Sequence, residues 1–147
     1  MAKKNLYTIG YEGLSPDAFL SRLRVNRVDV VIDIREFPHS RKRGFSKSQL
    51  DSRLGRAGIS YLHFRNLGSP APARKKYKED GDFAAFASSY AEVLKNERAV
   101  LDEVYSLAGE KDCCLLCYEA DAGTCHRSLV GAAVAKQNGQ DFTLKHL

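Results

Sequence analysis

The sequence predicts an α/β fold: one Rossmann-like domain with a mostly parallel five-stranded sheet and helices on both faces. Three observations predict it. Strand-like and helix-like segments alternate from end to end, the order in which helical crossovers carry the chain between parallel strands. Residues Val28 to Ile34 are β-branched and apolar apart from Asp29 and Asp33, which suits a strand buried on both faces. Finally, 147 residues with 44% apolar and 28% charged side chains suffice for one core, and no repeat, linker or low-complexity stretch divides them. Residues 1–147 therefore read as a single α/β domain.

The elements follow in order. Asn5 to Ile9 is a β-prone run closed by Gly10. Ser15-Pro16-Asp17 supplies an N-cap, a proline at the first helical position and an acid in the first turn. Phe19, Leu20 and Leu23 give that helix its apolar stripe. Val28 to Ile34 is the second strand, and a basic loop from Glu36 to Gly44 leaves it. Ser46 and Gln49 stand at capping-box spacing and open a second helix that closes near Gly58. Ile59 to Phe64 is the third strand. Leu67 to Arg74 is expected to be irregular, because Pro70 and Pro72 remove donors and restrict their neighbours. Asp82 caps a long helical region carrying Phe83, Phe86, Tyr90 and Leu94, then Leu101, Val104 and Tyr105, with a break at Asn96. Asp112 to Tyr118 is the fourth strand, Cys125 to Gln137 the fourth helical segment and Phe142 to Leu147 the last strand.

Charge is distributed unevenly. The net charge is +5, yet Arg35 to Lys78 holds twelve Lys/Arg against only Glu36 and Asp51. Such asymmetry is the electrostatic footprint of a surface that meets phosphates, although a solvated basic face has the same composition. No apolar run approaches the ~20 residues that span a bilayer. Met1-Ala-Lys-Lys-Asn5 leads straight into a strand, so no signal peptide is expected. Four cysteines in that setting are expected to be reduced thiols of a cytoplasmic protein.

In an open parallel sheet, ligands bind beyond the carboxyl ends of the strands. Those ends carry Tyr11 and Glu12, Asp33 and Arg35, Arg65, Cys117 with Glu119, and His146. Chemically capable residues thus collect at one edge. Several mechanisms are excluded by spacing. There is no Gly-x-x-x-x-Gly-Lys loop, and Gly10 with Gly13 is too little for a dinucleotide fingerprint. A thiol-phosphatase cradle needs Arg six residues after its cysteine, and the residues there are Gly123 and Gly131.

Cys114-Leu-Leu-Cys117 has the C-x-x-C form of a zinc knuckle, but Leu115 and Leu116 read as strand interior and point the two thiols to opposite faces. Cys117, Cys125 and His126 can still converge with Asp33 or His146. A structural cysteine at a strand end is the commoner case, so no metal ligand is assigned. The alternative uses the helix start. Thr124 is read as an N-cap, leaving the amides of Cys125, His126 and Arg127 at the positive end of the helix dipole. With Arg127 and Arg35 these make an anion site. The bland reading has Cys125 merely packing and Arg127 pairing with Glu119 or Asp121.

Thr8-Ile-Gly-Tyr11, Asp33-Ile-Arg35 with Pro38-x-Ser40, Phe45-Ser-Lys47, Leu67-Gly68, Cys117-Tyr-Glu119, Cys125-His-Arg127 and His146 occur in this order. Together they resemble the domain-of-unknown-function 488 family over nearly the whole chain. Leu67-Gly-Ser-Pro70 with Arg74 and Tyr77 is similar to a subgroup with a Leu-Gly-x-Pro loop. The resemblance implies a compact α/β domain with a pocket built from these motifs, and it implies no activity. Asp33-x-Arg35 also resembles the opening of rhodanese domains, whose active-site loop this chain lacks.

The leading expectation is a hydrolase or group transferase acting on a phosphate-bearing nucleotide or nucleic acid. Glu119 is the candidate general acid or base, with Asp33 or Glu12 beside it and Cys125 or His126 orienting it. Tyr11, Glu12, Arg35, Arg41, Arg74, Thr124, Arg127 and His146 are the candidate ligand-binding residues. No cofactor is assigned. The alternatives are a non-catalytic nucleic-acid-binding module using residues 35–78, and a domain with a structural zinc.

Overall fold

The computed structural model describes residues 4–135 and 142–147. It contains β1 (Lys4–Gly10), α1 (Pro16–Val25), β2 (Val30–Asp33), α2 (Lys47–Arg56), β3 (Ser60–His63), α3 (Ala71–Asp80), α4 (Phe83–Lys95), α5 (Arg98–Glu110), β4 (Cys113–Cys117), α6 (His126–Ala135) and β5 (Phe142–His146). Two 3-10 turns, Arg65–Leu67 and Ala122–Thr124, follow β3 and β4. All strand pairs are parallel, in the order β3-β2-β4-β1-β5. The α/β fold expected from the alternation is the one observed.

Each face of the sheet has its own core. Strand residues alternate in direction, so Cys113, Leu115 and Cys117 join one side while Cys114 and Leu116 join the other. α1 and α2 cover the second side through Phe19, Leu23, Leu50 and Leu54. α4, α5 and α6 cover the first through Tyr90, Leu101, Val104, Val130 and Val134. The crossovers therefore leave β1 and β2 toward one face and β4 toward the other. Beyond the carboxyl ends of these strands the chain splays apart, and a crevice opens.

Local chemistry sets the element ends. The Ser15 hydroxyl accepts from the Ala18 amide at 3.1 Å, with Pro16 in the first turn. The Ser46/Gln49 capping box forms as its spacing predicts. Asn96 ends α4 and α5 begins at Arg98, so the expected break is present. One expectation is corrected. Residues 71–74, read as irregular, begin α3: Pro70 is its N-cap and Pro72 lies in the first turn, where a missing amide removes no helical hydrogen bond. The expected helix end at Gln137 lies outside the described residues.

Candidate functional site

The crevice holds a cavity of about 290 Å³ lined by the residues that follow the strands. Tyr11 comes from the end of β1; Arg35, Glu36, Phe37 and His39 follow β2. Ser69 and Arg74 come from the loop after β3 and the first turn of α3. Cys117, Tyr118 and Glu119 end β4, and His126 heads α6. A second cavity, of about 370 Å³, shares Ser69, Arg74, Tyr118, Glu119 and His126 and adds Tyr77, Lys78, Phe86, Thr124 and Cys125.

The crevice walls depend on two close backbone approaches. A Cβ on Gly10 would collide with the Glu119 carbonyl, and one on Gly68 would collide with the backbone of Glu36. Glycine at these positions lets the β4 and β3 loops press against β1 and the β2 loop. The β3 loop is also pinned by Tyr90, whose hydroxyl donates to the Leu67 carbonyl.

Several predicted site residues are brought to the cavity, and others are engaged beneath it. Asp33 is fully buried, and its carboxylate accepts from Arg35 Nε at 2.9 Å, Arg35 Nη2 at 2.6 Å and the Tyr61 hydroxyl at 2.5 Å. It also accepts from the Arg35 amide. These donors engage both carboxylate oxygens. Arg35 touches the cavity, but its Nη1 donates to the Phe45 carbonyl at 2.8 Å and the Tyr11 hydroxyl at 3.3 Å. Burial opposes the Arg35 charge; Asp33 more than offsets this and holds the pKa above the ordinary value.

Arg127, expected as a ligand clamp, is engaged within the protein as a brace. Its side chain is fully buried and lines neither cavity. Nε donates to Thr8 Oγ1 at 3.0 Å, Nη2 to the Ala120 carbonyl at 3.1 Å and Nη1 to the Glu119 carbonyl. Nη1 also lies 3.4 Å from Cys117 Sγ. Among the described residues it forms no side-chain ion pair with Asp121; the guanidinium ties the loop after β4 to β1. Thr8 Oγ1 also lies 2.5 Å from His146 Nδ1, so His146 is linked to this brace and lines neither cavity.

Thr124 does not cap α6. It closes the 3-10 turn, its hydroxyl donating to the Asp121 carbonyl at 3.1 Å. Asp121 nucleates that turn by accepting from the Gly123 amide at 2.9 Å, which displaces the helix start by one residue. Cys125, in extended conformation, precedes α6, and its carbonyl accepts from the Ser128 hydroxyl at 2.9 Å. Glu12 is exposed and accepts from the Ala120 amide at 3.0 Å, and Arg41 lies on the surface away from both cavities.

Glu119, His126, Arg74 and Tyr11 do face the crevice. Burial pushes the Glu119 carboxyl above its ordinary range, against the pull of its backbone hydrogen bond and of Arg127. Burial pushes His126 down to about 4, against a hydrogen bond to the Ile34 carbonyl that favours its charged form. Arg74 uses only Nη1, bonding Glu36 at 3.3 Å and the Ser69 carbonyl, so Nε and Nη2 have no partner among the described residues. Tyr11 stacks on Phe45 with ring centroids 4.5 Å apart.

Ser69 is the residue that sequence reading missed. Its hydroxyl is buried, lines both cavities and has no hydrogen-bond partner among the described residues. The sequence held one signal, a serine between Gly68 and Pro70, where backbone constraint fixes a side chain's direction.

Cys113 and Cys114 are free and buried. The Sγ atoms of Cys117 and Cys125 lie against one another in the position of a disulfide, across a Cα separation of 7.7 Å. His126 Nδ1 joins them, all three ligand atoms falling within 4.8 Å of one another. Asp33 and His146, expected as further members of such a group, are engaged elsewhere.

Residues 15–134 match the family model described as "Domain of unknown function DUF488", and the chain belongs to that family. No curated protein and no solved structure matches it. Among the described residues no helix is long and apolar enough to cross a membrane.

Proposed function

We propose that this member of the family is an enzyme of the hydrolase or group-transferase class, acting in the crevice on a small phosphate-bearing substrate such as a nucleotide. One observation carries the reading: the buried, unpartnered Ser69 hydroxyl in a cavity shared with Arg74 and Glu119. A buried polar group without a partner calls for an explanation, and a ligand oxygen supplies one. Arg74, with two nitrogen positions unengaged, holds the phosphate together with Ser69. Glu119 accepts the proton of the attacking water or hydroxyl and returns it to the leaving oxygen. His126 and Tyr11 wall the site. With Arg35 and Arg127 engaged internally, the clamp rests on Arg74.

The test is a thermal-shift and binding screen of nucleotides and sugar phosphates. A hit weakened at least about tenfold by Arg74→Ala and by Ser69→Ala supports the placement. Turnover lost in Glu119→Gln with binding retained supports the role of the carboxylate. Binding and turnover unchanged in all three variants refute it.

A second reading has its own observation. A groove beside α2 is lined by Arg43, Arg53 and Arg56 with Ser48, Gln49 and Ser52. Of these arginines, Arg53 is paired with Asp17 at 3.2 Å. A nucleic-acid-binding module would use this face, bind with a steep salt dependence and be indifferent to Glu119→Gln.

A further inference from the structure

The geometry points to a zinc site formed by Cys117 Sγ, Cys125 Sγ and His126 Nδ1, with its fourth position open to the crevice. The three ligand atoms come from two elements that the fold brings together, the end of β4 and the start of α6.

The imidazole is set for this role. His126 Nε2 lies 2.8 Å from the Ile34 carbonyl, which only accepts, so the proton of the neutral ring is on Nε2. Nδ1 therefore presents a lone pair, and its contact is Cys125 Sγ at 3.8 Å. A backbone carbonyl fixing the far nitrogen is the usual support of a metal-bound histidine. A disulfide would leave this buried lone pair facing sulfurs that carry no proton. A metal, or a thiol, satisfies it.

The cysteines fit a shared ion better than a bond. Their Cα separation of 7.7 Å exceeds the roughly 4.4–6.8 Å spanned by disulfides. Two thiolates on one tetrahedral zinc, each about 2.3 Å from the metal, stand roughly 3.8 Å apart and suit a wider backbone spacing. Arg127 Nη1, 3.4 Å from Cys117 Sγ, offers a cation to the thiolate. The donor set of two sulfurs and one imidazole selects zinc among the common divalent ions.

The site faces the cavities. Cys117 lines one, Cys125 the other and His126 both. Glu119, which lines both cavities, places Oε2 3.6 Å from Cys117 Sγ. Three protein ligands with an open position mark a reactive zinc rather than a closed structural one. Binding converts two thiols to thiolates and releases two protons per zinc.

This inference does not depend on the substrate reading, because zinc binding is measured with no substrate present. The full-length protein, reduced and desalted, is titrated with zinc and its metal content measured, alongside Cys125→Ser, His126→Gln and the control Cys114→Ala. Roughly one zinc per chain is expected in wild type and the control, with affinity at least about tenfold weaker in the two ligand variants. Cobalt substitution of the wild type reports the donors without any variant. A tetrahedral spectrum with thiolate-to-cobalt bands supports the site; an octahedral, sulfur-free spectrum overturns it. Failure of the reduced protein to bind zinc stoichiometrically, or zinc retained unchanged in Cys125→Ser and His126→Gln, also overturns it.

Discussion

Replacing Arg127 by methionine separates a structural brace from a ligand clamp. Methionine keeps much of the buried volume and removes every donor. The guanidinium satisfies the Thr8 hydroxyl and the carbonyls of Glu119 and Ala120. Stranding three such acceptors costs about 1–2 kcal/mol each. Against that, the fully buried side chain carries a charge that burial disfavours, so neutralising the position returns part of the loss. The net expectation is a destabilisation of about 2–4 kcal/mol. For a chain of 147 residues this corresponds to a fall of roughly 5–15 °C in Tm. Urea and thermal unfolding, followed by circular dichroism, measure it. The half-exposed Arg74→Met should lose less than about 1 kcal/mol. An Arg127→Met protein as stable as wild type, with ligand binding abolished, would place the guanidinium in recognition and refute the brace.

Three other outcomes are expected. Metal-free protein should lose stability in acid through His126: the unfolded histidine takes up its proton near pH 6.5 and the folded one only near about 4. The unfolded state thus binds more protons in that window, and the contribution present above pH 6.5 falls away by about 3 kcal/mol as pH drops to 4. Denaturation at stepped pH checks this, and a His126→Gln protein with the same acid slope would contradict it. Gly68→Ala should cost about 1–3 kcal/mol by forcing the β3 loop off Glu36, and an unchanged denaturation midpoint would show that the loop yields freely. Cys113, whose thiol burial pushes up to about 11, and the buried Cys114 should resist iodoacetamide at neutral pH until the protein unfolds. Mass spectrometry of the native protein showing rapid labelling of either would contradict their placement.

Much of the fold was legible because its causes are local. Ser15-Pro16 and the Ser46/Gln49 spacing mark helix starts through hydrogen bonds that span three residues. The continuous apolar runs at Val30 to Ile32 and Cys113 to Cys117 mark strands buried on both faces. Even the opposite facing of Cys114 and Cys117 follows from the two-residue strand period. The start of α3 was misread because a proline gives the same local signal whether it ends a segment or opens a helix.

The sequence by itself determined that the chemically capable residues stand at the carboxyl edge of a parallel sheet. Only the tertiary structure decided which of them are engaged by other groups and which are left open to the crevice. Asp33, Arg35 and Arg127 look like catalytic and clamping groups in the chain, and each is engaged by partners distant in sequence: Tyr61 on β3, the Phe45 carbonyl, and Thr8 on β1. Ser69 looks unremarkable in the chain and is the group left without a partner. The physical reason is one of saturation. A side chain's chemistry is set by which of its donors and acceptors remain after packing, and those partners come from elements that only the crossovers bring together.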